Sequence, residues 1–597
     1  MNPETGAREE VSCRAMKSSA LVLSLLAVAA CGAEPPAPKI EPPRPPPSAS
    51  VDAAIAAPLP PPGPTEIERF TALRDRILET ALARDPVWGR YLGLHDAYDS
   101  KLTDYSKDGF AKAHAQIVSD LAALDGIEAS KLAPDDALDL ALLKRTFKHE
   151  LFRGQDLADW RKSPLFYSEI FGVDSYLDKD YAPLETRAKR LLAHEEAALA
   201  QVANIRANLE LPLSKPVTLV AIKMFTGYAT YLRGEVAKRV GAVGDEAFRA
   251  HFKETNEKLA VEAQKFVDWL KTKVLPTADD SHILGADRYK KLLEAQEGLT
   301  TPIDDLRKMN EENLAANKKA YEELVAKGVK AKRPKPVEYL QVAAQLTEEA
   351  RKFVADHHVI TVPTDDRATV RETPPFARWN PASLSMTGPF ESPVVAFFNV
   401  TLPDPSLPKK EQEEYVQSSA AIRMIAVHEV WPGHFVHGLK AMRAPTKFQK
   451  MQFSYTFTEG WAHYTEQMML DEGFGADDPQ NRLGQLQQAL IRNCRFAASI
   501  AIHVDKRSLD DVEKRFMTDC YVDKPNAREQ TARGTFDPGY FAYTLGKLQI
   551  LALREEAKKA LGEKFSLQKF HDALLAHGAP PVAMIRERVL SDLGAAP

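Results

Sequence analysis

Between Ala420 and Lys440 the chain reads His428-Glu429-Val430-Trp431-Pro432-Gly433-His434, two imidazoles and a carboxylate near enough in sequence to serve one divalent ion. When two histidines stand four apart on a helix, one turn puts both rings on one face, beside a glutamate that can activate water. Here the fourth position after His428 is Pro432, and the second histidine arrives six positions on. At about 100° per residue, a straight helix would turn His434 away from His428. Pro432 has no N–H for the His428 carbonyl, drives Trp431 from helical angles and is followed by glycine. The sequence therefore predicts a break over residues 431–433 that returns His434 to His428.

A catalytic zinc takes three protein ligands of the His or Glu type and keeps one position for water. The third ligand is expected from a second helix, Thr458-Glu459-Gly460-Trp461-Ala462-His463-Tyr464-Thr465-Glu466. Glu459, His463 and Glu466 share one face of it, because steps of four and seven residues return to nearly the same angle. Glu459 is the expected ligand and His463 its rival, while Glu466, a turn deeper, is placed to orient a ligand imidazole. Glu429 cannot turn to the ion when its neighbour His428 does, so it is left as general base. One zinc ion per chain is the expectation; the plain alternative, a buried polar helix contact without metal, would have to account for both motifs.

Hydrolysis also needs a donor where negative charge develops. Tyr540 and Tyr543 are candidates, each readable equally as core. Arg492, Arg495 and His503 fall on one predicted helix and can bind a substrate carboxylate or polarise an oxygen; buried ion pairs or a solvated face are the plainer reading. His437, one turn beyond His434, is expected to orient the site or to be structural.

The elements that must hold these groups are mostly helical. Thr65-x-x-Glu68 reads as a capping box ahead of Ile67, Phe70, Leu73, Ile77 and Ala81, one buried helical face. Leu192, Leu199, Val202, Ile205 and Leu209 repeat the signal, as do Leu259, Ala263, Phe266 and Leu270, then Leu306, Met309, Leu314 and Leu324. Such stripes are core. Between Val359 and Leu402 the texture changes: Val359–Val362 and Val394–Thr401 are short β-rich runs bounded by prolines, a small strand element just before the histidine stretch. Helices resume near Glu411, with breaks expected at residues 473–479, 524–534 and 577–581. Cys494 and Cys520 are the two body cysteines; an exported compartment permits a bridge across a helical hairpin, yet two simply buried thiols are the plainer expectation.

The 597 residues, 44% hydrophobic and 27% charged, describe a globular chain of more than one compact unit. Lys+Arg 78 against Asp+Glu 83 leaves a net charge of -5, with no basic block that would call for nucleic acid. Lys17 leads an apolar run from Ala20 to Ala30, too short to span a bilayer and ending in small residues, as a secretory signal does. Val28-Ala29-Ala30-Cys31 resembles a bacterial lipobox, making Cys31 the expected lipidated N-terminus; Glu4, Glu9 and Glu10 favour Met16 as the start. Residues 34–64 carry thirteen of the 41 prolines, a tether of roughly 90 Å at about 3 Å per residue. Gly32 after the cysteine favours the outer membrane.

At its chemical residues the chain resembles a bacterial family known as domain of unknown function 885, regarded as zinc metallopeptidases. Its marks are Asp85-Pro86 with Leu92-Gly93-Leu94-His95, His428-Glu429-x-x-Pro432-Gly433-His434, Glu459-Gly460-Trp461-Ala462-x-Tyr464-x-Glu466, Tyr543-x-x-Gly546, and Phe570–Leu575 with Gly578. The resemblance implies a mostly α fold of two helical halves flanking a deep cleft, similar to the helical gluzincin peptidases of the thimet oligopeptidase and carboxypeptidase Taq groups. It assigns His428, His434 and Glu459 to metal and Glu429 to the base, and lifts Tyr543 above Tyr540 as oxyanion donor. It also implies that the Val394–Thr401 strand pairs with an extended peptide. The chain departs from the family at Phe435 and His437, and at Ser499, where relatives carry an aspartate that precedes the histidine matching His503.

The expected organisation is a leader (1–31), a tether (32–64), a helical N-terminal region (65–350) and a metal-binding region (351–597). The expected activity is zinc-dependent hydrolysis of peptide bonds by an exported, lipid-anchored protein. Its rivals are a non-catalytic lipoprotein that binds metal or peptide, and a metallohydrolase acting on another amide or ester. Oligomeric state is open.

Overall fold

The computed structural model describes residues 64–374 and 381–595; Cys31, the leader and the tether to Gly63 lie outside the described residues. Helix begins where the capping chemistry requires. The Glu68 N–H donates to Thr65 Oγ1 (3.2 Å) and the Thr65 N–H to Glu68 Oε2 (2.8 Å), opening the helix Glu66–Arg84. Phe70, Ile77 and Ala81 are buried from it as the stripe predicts, whereas Ile67 in the first turn stays exposed.

Helices Leu184–Asn208, Lys215–Tyr231 and Glu246–Trp269 enclose one core around Leu191, Phe225, Leu259 and Phe266. A second core joins the helix Tyr339–Asp356 to the sheet and the helices of the histidine and carboxylate motifs. The boundary expected at residue 350 falls inside Tyr339–Asp356, which packs with the C-terminal elements. Two further cores cross between the halves: Phe448 and Met451 pack with Phe70 and Phe147, and Phe496 and Phe541 pack with Tyr289 and Leu292. The fold is mostly α, with one small sheet.

That sheet corrects two expectations. Its strands are β1 (Ala368–Glu372), β2 (Ala382–Met386) and β3 (Ala396–Val400), in the order β1-β3-β2, parallel between β1 and β3 and antiparallel between β3 and β2. Val359–Val362 is not a strand. Val359 and Ile360 are buried at the end of the preceding helix, the Val359 carbonyl accepts from His571 Nδ1 (2.7 Å), and the Thr361 N–H donates to Asp572 (3.0 Å). Side chains thus take the backbone groups that a ladder would use. The strand inside Val394–Thr401 is the central one, paired on both sides, so it has no free edge to offer a peptide; β2 is the edge next to the histidine helices.

Residues 524–534, expected as a break, form the helix Lys524–Gly534: the Asp523 side chain caps it through Asn526 N (3.2 Å), and Pro525 sits in the first turn, where its missing N–H costs nothing. Cys494 and Cys520, expected as buried thiols, are bridged, with Cα atoms 6.4 Å apart. The bond ties the helix Pro479–His503 to the end of Leu509–Asp519. Among the described residues no helix is long and apolar enough to cross a membrane.

Candidate metal centre

Ser418 caps the helix Ser419–Glu429 through Ala421 N (3.1 Å), and the helix ends at Val430, before the cis Trp431–Pro432 peptide. The next helix runs His434–Ala441. The predicted break is therefore present, and it is tight. Gly433 N–H donates to the Val427 carbonyl (3.0 Å), and a Cβ on Gly433 would stand 1.8 Å from the His428 carbonyl oxygen, so only glycine fits. Trp461 from the carboxylate helix fastens the turn by donating Nε1–H to the Pro432 carbonyl (3.0 Å). As a result the His428 and His434 rings lie 4.8 Å apart, nearly perpendicular at 88°.

The carboxylate helix, Tyr455–Asp471, is held close to the helix Ala542–Leu561 by a pair of glycines. A Cβ on Gly460 would come within 2.5 Å of Gly546 Cα, and one on Gly546 within 1.8 Å of the Thr456 carbonyl oxygen. Glu459 Oε2 consequently sits 3.4 Å from His428 Nε2 and 3.5 Å from His434 Nε2. All three ligand atoms fall within 4.8 Å of one another. Ligands at about 2.0–2.1 Å on a tetrahedral zinc lie roughly 3.4 Å apart, so the two measured separations suit one ion. Glu459 Oε2 is buried and makes no well-aligned hydrogen bond, its polar neighbours being the two imidazole nitrogens, an arrangement that a shared cation would complete. The donor set therefore fits zinc.

Charge on the far side supports the same assignment. Glu466, fully buried, accepts from His428 Nδ1 at 2.8 Å, which turns Nε2 inward toward Glu459. Burial acts to lower His428, but Glu459 and Glu466 carry it up to about 9. Burial acts to raise Glu459 and Glu466; the two imidazoles overcome it for the first, and Arg492 with the neighbouring histidines for the second, so both are held well below the usual carboxylate range. Arg492 Nη2 lies 3.3 Å from Glu466 Oε1, so this arginine makes the buried ion pair that was its plainer reading. His463 faces Glu466 (3.3 Å), away from the three-ligand group, and burial followed by the Lys547 cation pushes it down to about 3. Lys547 itself is buried with no hydrogen-bond partner for Nζ, and burial lowers it to about 8.

Glu429 is partly buried, and its Oε2 accepts the Leu384 N–H of edge strand β2 at 3.0 Å. Tyr543 Oη accepts from Arg533 Nη2 (3.2 Å), and its ring packs on Tyr455 at 5.7 Å. Tyr455, Arg533 and Asp537 form one network: Arg533 donates to Tyr455 Oη (2.9 Å) and to Asp537 (3.2 Å), and Tyr455 Oη donates to Asp537 (3.0 Å). None of these three is evident from motif spacing, although Tyr455 stands four before Glu459, the step that shares a helical face. Glu297 is also unforeseen: buried, it accepts from Ser454 Oγ (2.7 Å) and from Thr456 Oγ1, pinning the start of the carboxylate helix from the N-terminal half.

The other candidates are placed apart from the ligands. Tyr540 is buried and donates to Gln530 Oε1 (2.5 Å), which also accepts from Arg495 Nε (2.9 Å). His437 faces the Gly578 carbonyl (3.3 Å), a structural tie, and burial lowers it to about 4. His503 lies between the carbonyls of Gly534 (2.8 Å) and His282 (3.1 Å), tying the end of the helix Lys524–Gly534 to the segment at His282, and burial lowers it to about 4. Ser499 does not orient it: the serine donates to the Pro538 carbonyl (2.7 Å) and contacts Tyr289 Oη (2.8 Å). A cavity of about 1540 Å³ reaches Tyr455 and Glu459 and is walled by both halves, with Trp88, Arg153 and Arg288 from the first and Asp537 from the second.

The same fold occurs in solved structures. A candidate lipoprotein of unknown function from Shewanella oneidensis is 22% identical with a TM-score of 0.73, over 88% of this chain and 100% of that one. A candidate lipoprotein from Colwellia psychrerythraea is 17% identical with a TM-score of 0.75, over 89% and 100%. At such identities the likeness speaks for the fold. No curated protein matches. The family described as bacterial protein of unknown function, DUF885, matches residues 86–589, the greater part of the 597, and the chain belongs to that family.

Proposed function

We propose that this protein is an exported, zinc-dependent hydrolase of peptide bonds, anchored to the membrane through lipid on Cys31. The observation that carries the reading is the convergence of His428, His434 and Glu459, whose ligand atoms lie within 4.8 Å of one another with Glu459 Oε2 3.4 and 3.5 Å from the two imidazole nitrogens. His428, His434 and Glu459 would hold the ion, which when bound supplies a Lewis acid and lowers the pKa of water in its open position. The lipobox-like Val28–Cys31, the proline-rich tether and the description of both solved relatives as candidate lipoproteins support the anchor. Gly32 favours the outer membrane.

Glu429 takes the proton of the attacking water and returns it to the leaving amine. The Leu384 amide fixes one of its carboxylate oxygens and leaves the other for the water. Tyr543, its hydroxyl already accepting from Arg533, turns its own proton toward the oxyanion. Glu466 and Arg492 hold the His428 ring in one orientation. Glu429→Gln should retain stoichiometric zinc by elemental analysis and cleave no peptide in a library read by mass spectrometry. Full turnover in that variant defeats the mechanism; absence of zinc and of cleavage in the parent protein would favour a non-catalytic lipoprotein, and cleavage of esters or other amides alone would redirect the substrate class.

A further inference from the structure

Three arginines approach the rings beside the metal centre, and they are not equivalent. Arg492 is bound to Glu466, and Arg533 to Asp537. Arg495 forms no ion pair with any carboxylate among the described residues; its only hydrogen bond is from Nε to the uncharged Gln530 Oε1 at 2.9 Å. The guanidinium carbon lies 4.9 Å from the Tyr543 ring and 5.1 Å from the Tyr540 ring, and the residue is only partly buried. Asp537 feels its charge but is bonded to Arg533 and Tyr455; a cation removed from part of its water with no carboxylate bound to it is costly unless an anion arrives. Stacking and the Nε bond together hold the group in one orientation, with its two Nη nitrogens unbonded. That pair of parallel donors is the edge by which arginine takes a carboxylate in bidentate fashion.

Its position gives this a use. The Tyr543 ring contacts Arg495 at 4.9 Å and Arg492 at 5.8 Å, and Arg492 is joined through Glu466 to His428. Arg495 thus packs on the ring of the tyrosine read above as the oxyanion donor. We propose that Arg495 binds a carboxylate of the substrate and so selects acidic peptide ends or acidic residues near the scissile bond. This specificity rests on the hydrolase reading above.

The test compares three peptides of one sequence on the zinc-loaded protein: a free C-terminal acid, its C-terminal amide, and the amide with an internal aspartate. The expected result is that one or both carboxylate peptides exceed the plain amide in kcat/KM by about ten- to a hundredfold, mostly through KM, as the loss of a charged hydrogen-bonded pair would give. Preference for the free acid identifies the terminus as the source, and preference for the aspartate peptide a side chain. Arg495→Gln should collapse that preference toward unity, and Arg495→Lys should restore part of it. Equal cleavage of all three by the parent, or an equal loss on all three in Arg495→Gln, would overturn the proposal. If the parent cleaves no peptide, the hydrolase reading fails and calorimetry decides the subsite: succinate bound in preference to succinamide by the parent but not by Arg495→Gln upholds it, and equal binding by both proteins overturns it.

Discussion

At the scale of single residues, the site depends on which buried polar groups have partners. Glu466 is the hinge of the arrangement, since it alone joins His428 to the Arg492 cation. Glu466→Ala should weaken zinc affinity by about 10–100-fold, the usual consequence of losing a carboxylate behind a ligand histidine, while circular dichroism still reports a helical fold. Elsewhere Glu195 presents the opposite case. It is fully buried, neither oxygen has a hydrogen-bond partner, and burial raises it well above the usual carboxylate range. A folded-state value above the unfolded one means that the native state holds the proton longer, so stability falls as pH rises above the ordinary glutamate range. Glu195→Leu should therefore raise stability at pH 7 by about 1–3 kcal/mol and flatten the dependence of Tm on pH between 5 and 8. An unchanged or lower Tm at pH 7 would count against it.

At the scale of elements, two glycine contacts set the spacing of the site. Gly546→Ala would drive a methyl into the Thr456 carbonyl, 1.8 Å away, and separate the helix Ala542–Leu561 from the carboxylate helix. The expected cost is about 1–3 kcal/mol in denaturant unfolding, with weaker zinc binding because Glu459 moves with its helix. Pro432 and Gly433 belong to the geometry in the same way, since the turn they form is what brings the two rings to 4.8 Å. Deleting both restores four-residue spacing in sequence yet should abolish zinc binding, because Trp461 and Glu459 are set for the longer arrangement; calorimetric titration with zinc decides it. The Cys494–Cys520 bridge fastens the helix that carries Arg492 and Arg495. Replacing both cysteines with alanine should lower unfolding free energy by about 2–4 kcal/mol.

At the scale of the molecule, the halves share their cores. Phe448 and Met451 complete an N-terminal core, Phe496 and Phe541 complete another, and Glu297 reaches across to the first turn of the carboxylate helix. Residues 339–595 expressed alone should consequently aggregate or bind zinc weakly, and co-expression with 65–338 should recover soluble, zinc-binding protein. Gel filtration with metal analysis reads both outcomes.

Much of this was legible in sequence because it is governed by local rules. Proline in a helix pattern forces a break, and steps of four and seven put Glu459 and Glu466 on one face, so the cluster of His428, His434 and Glu459 with Glu466 behind it could be named without coordinates. The mostly helical class followed from apolar periodicity in the same way. Pairing was not legible. Whether Val359–Val362 joins a ladder depends on distant His571 and Asp572, and which strand has a free edge depends on sheet order. The Cys494–Cys520 bridge required two helix ends to meet. The Tyr455–Arg533–Asp537 network and Arg495, bonded to Gln530 and to no carboxylate among the described residues, arise where separate segments converge. Periodicity within a segment fixes which face a side chain occupies, but only long-range packing decides what that face meets, and so which buried charges find partners and which are left for a ligand.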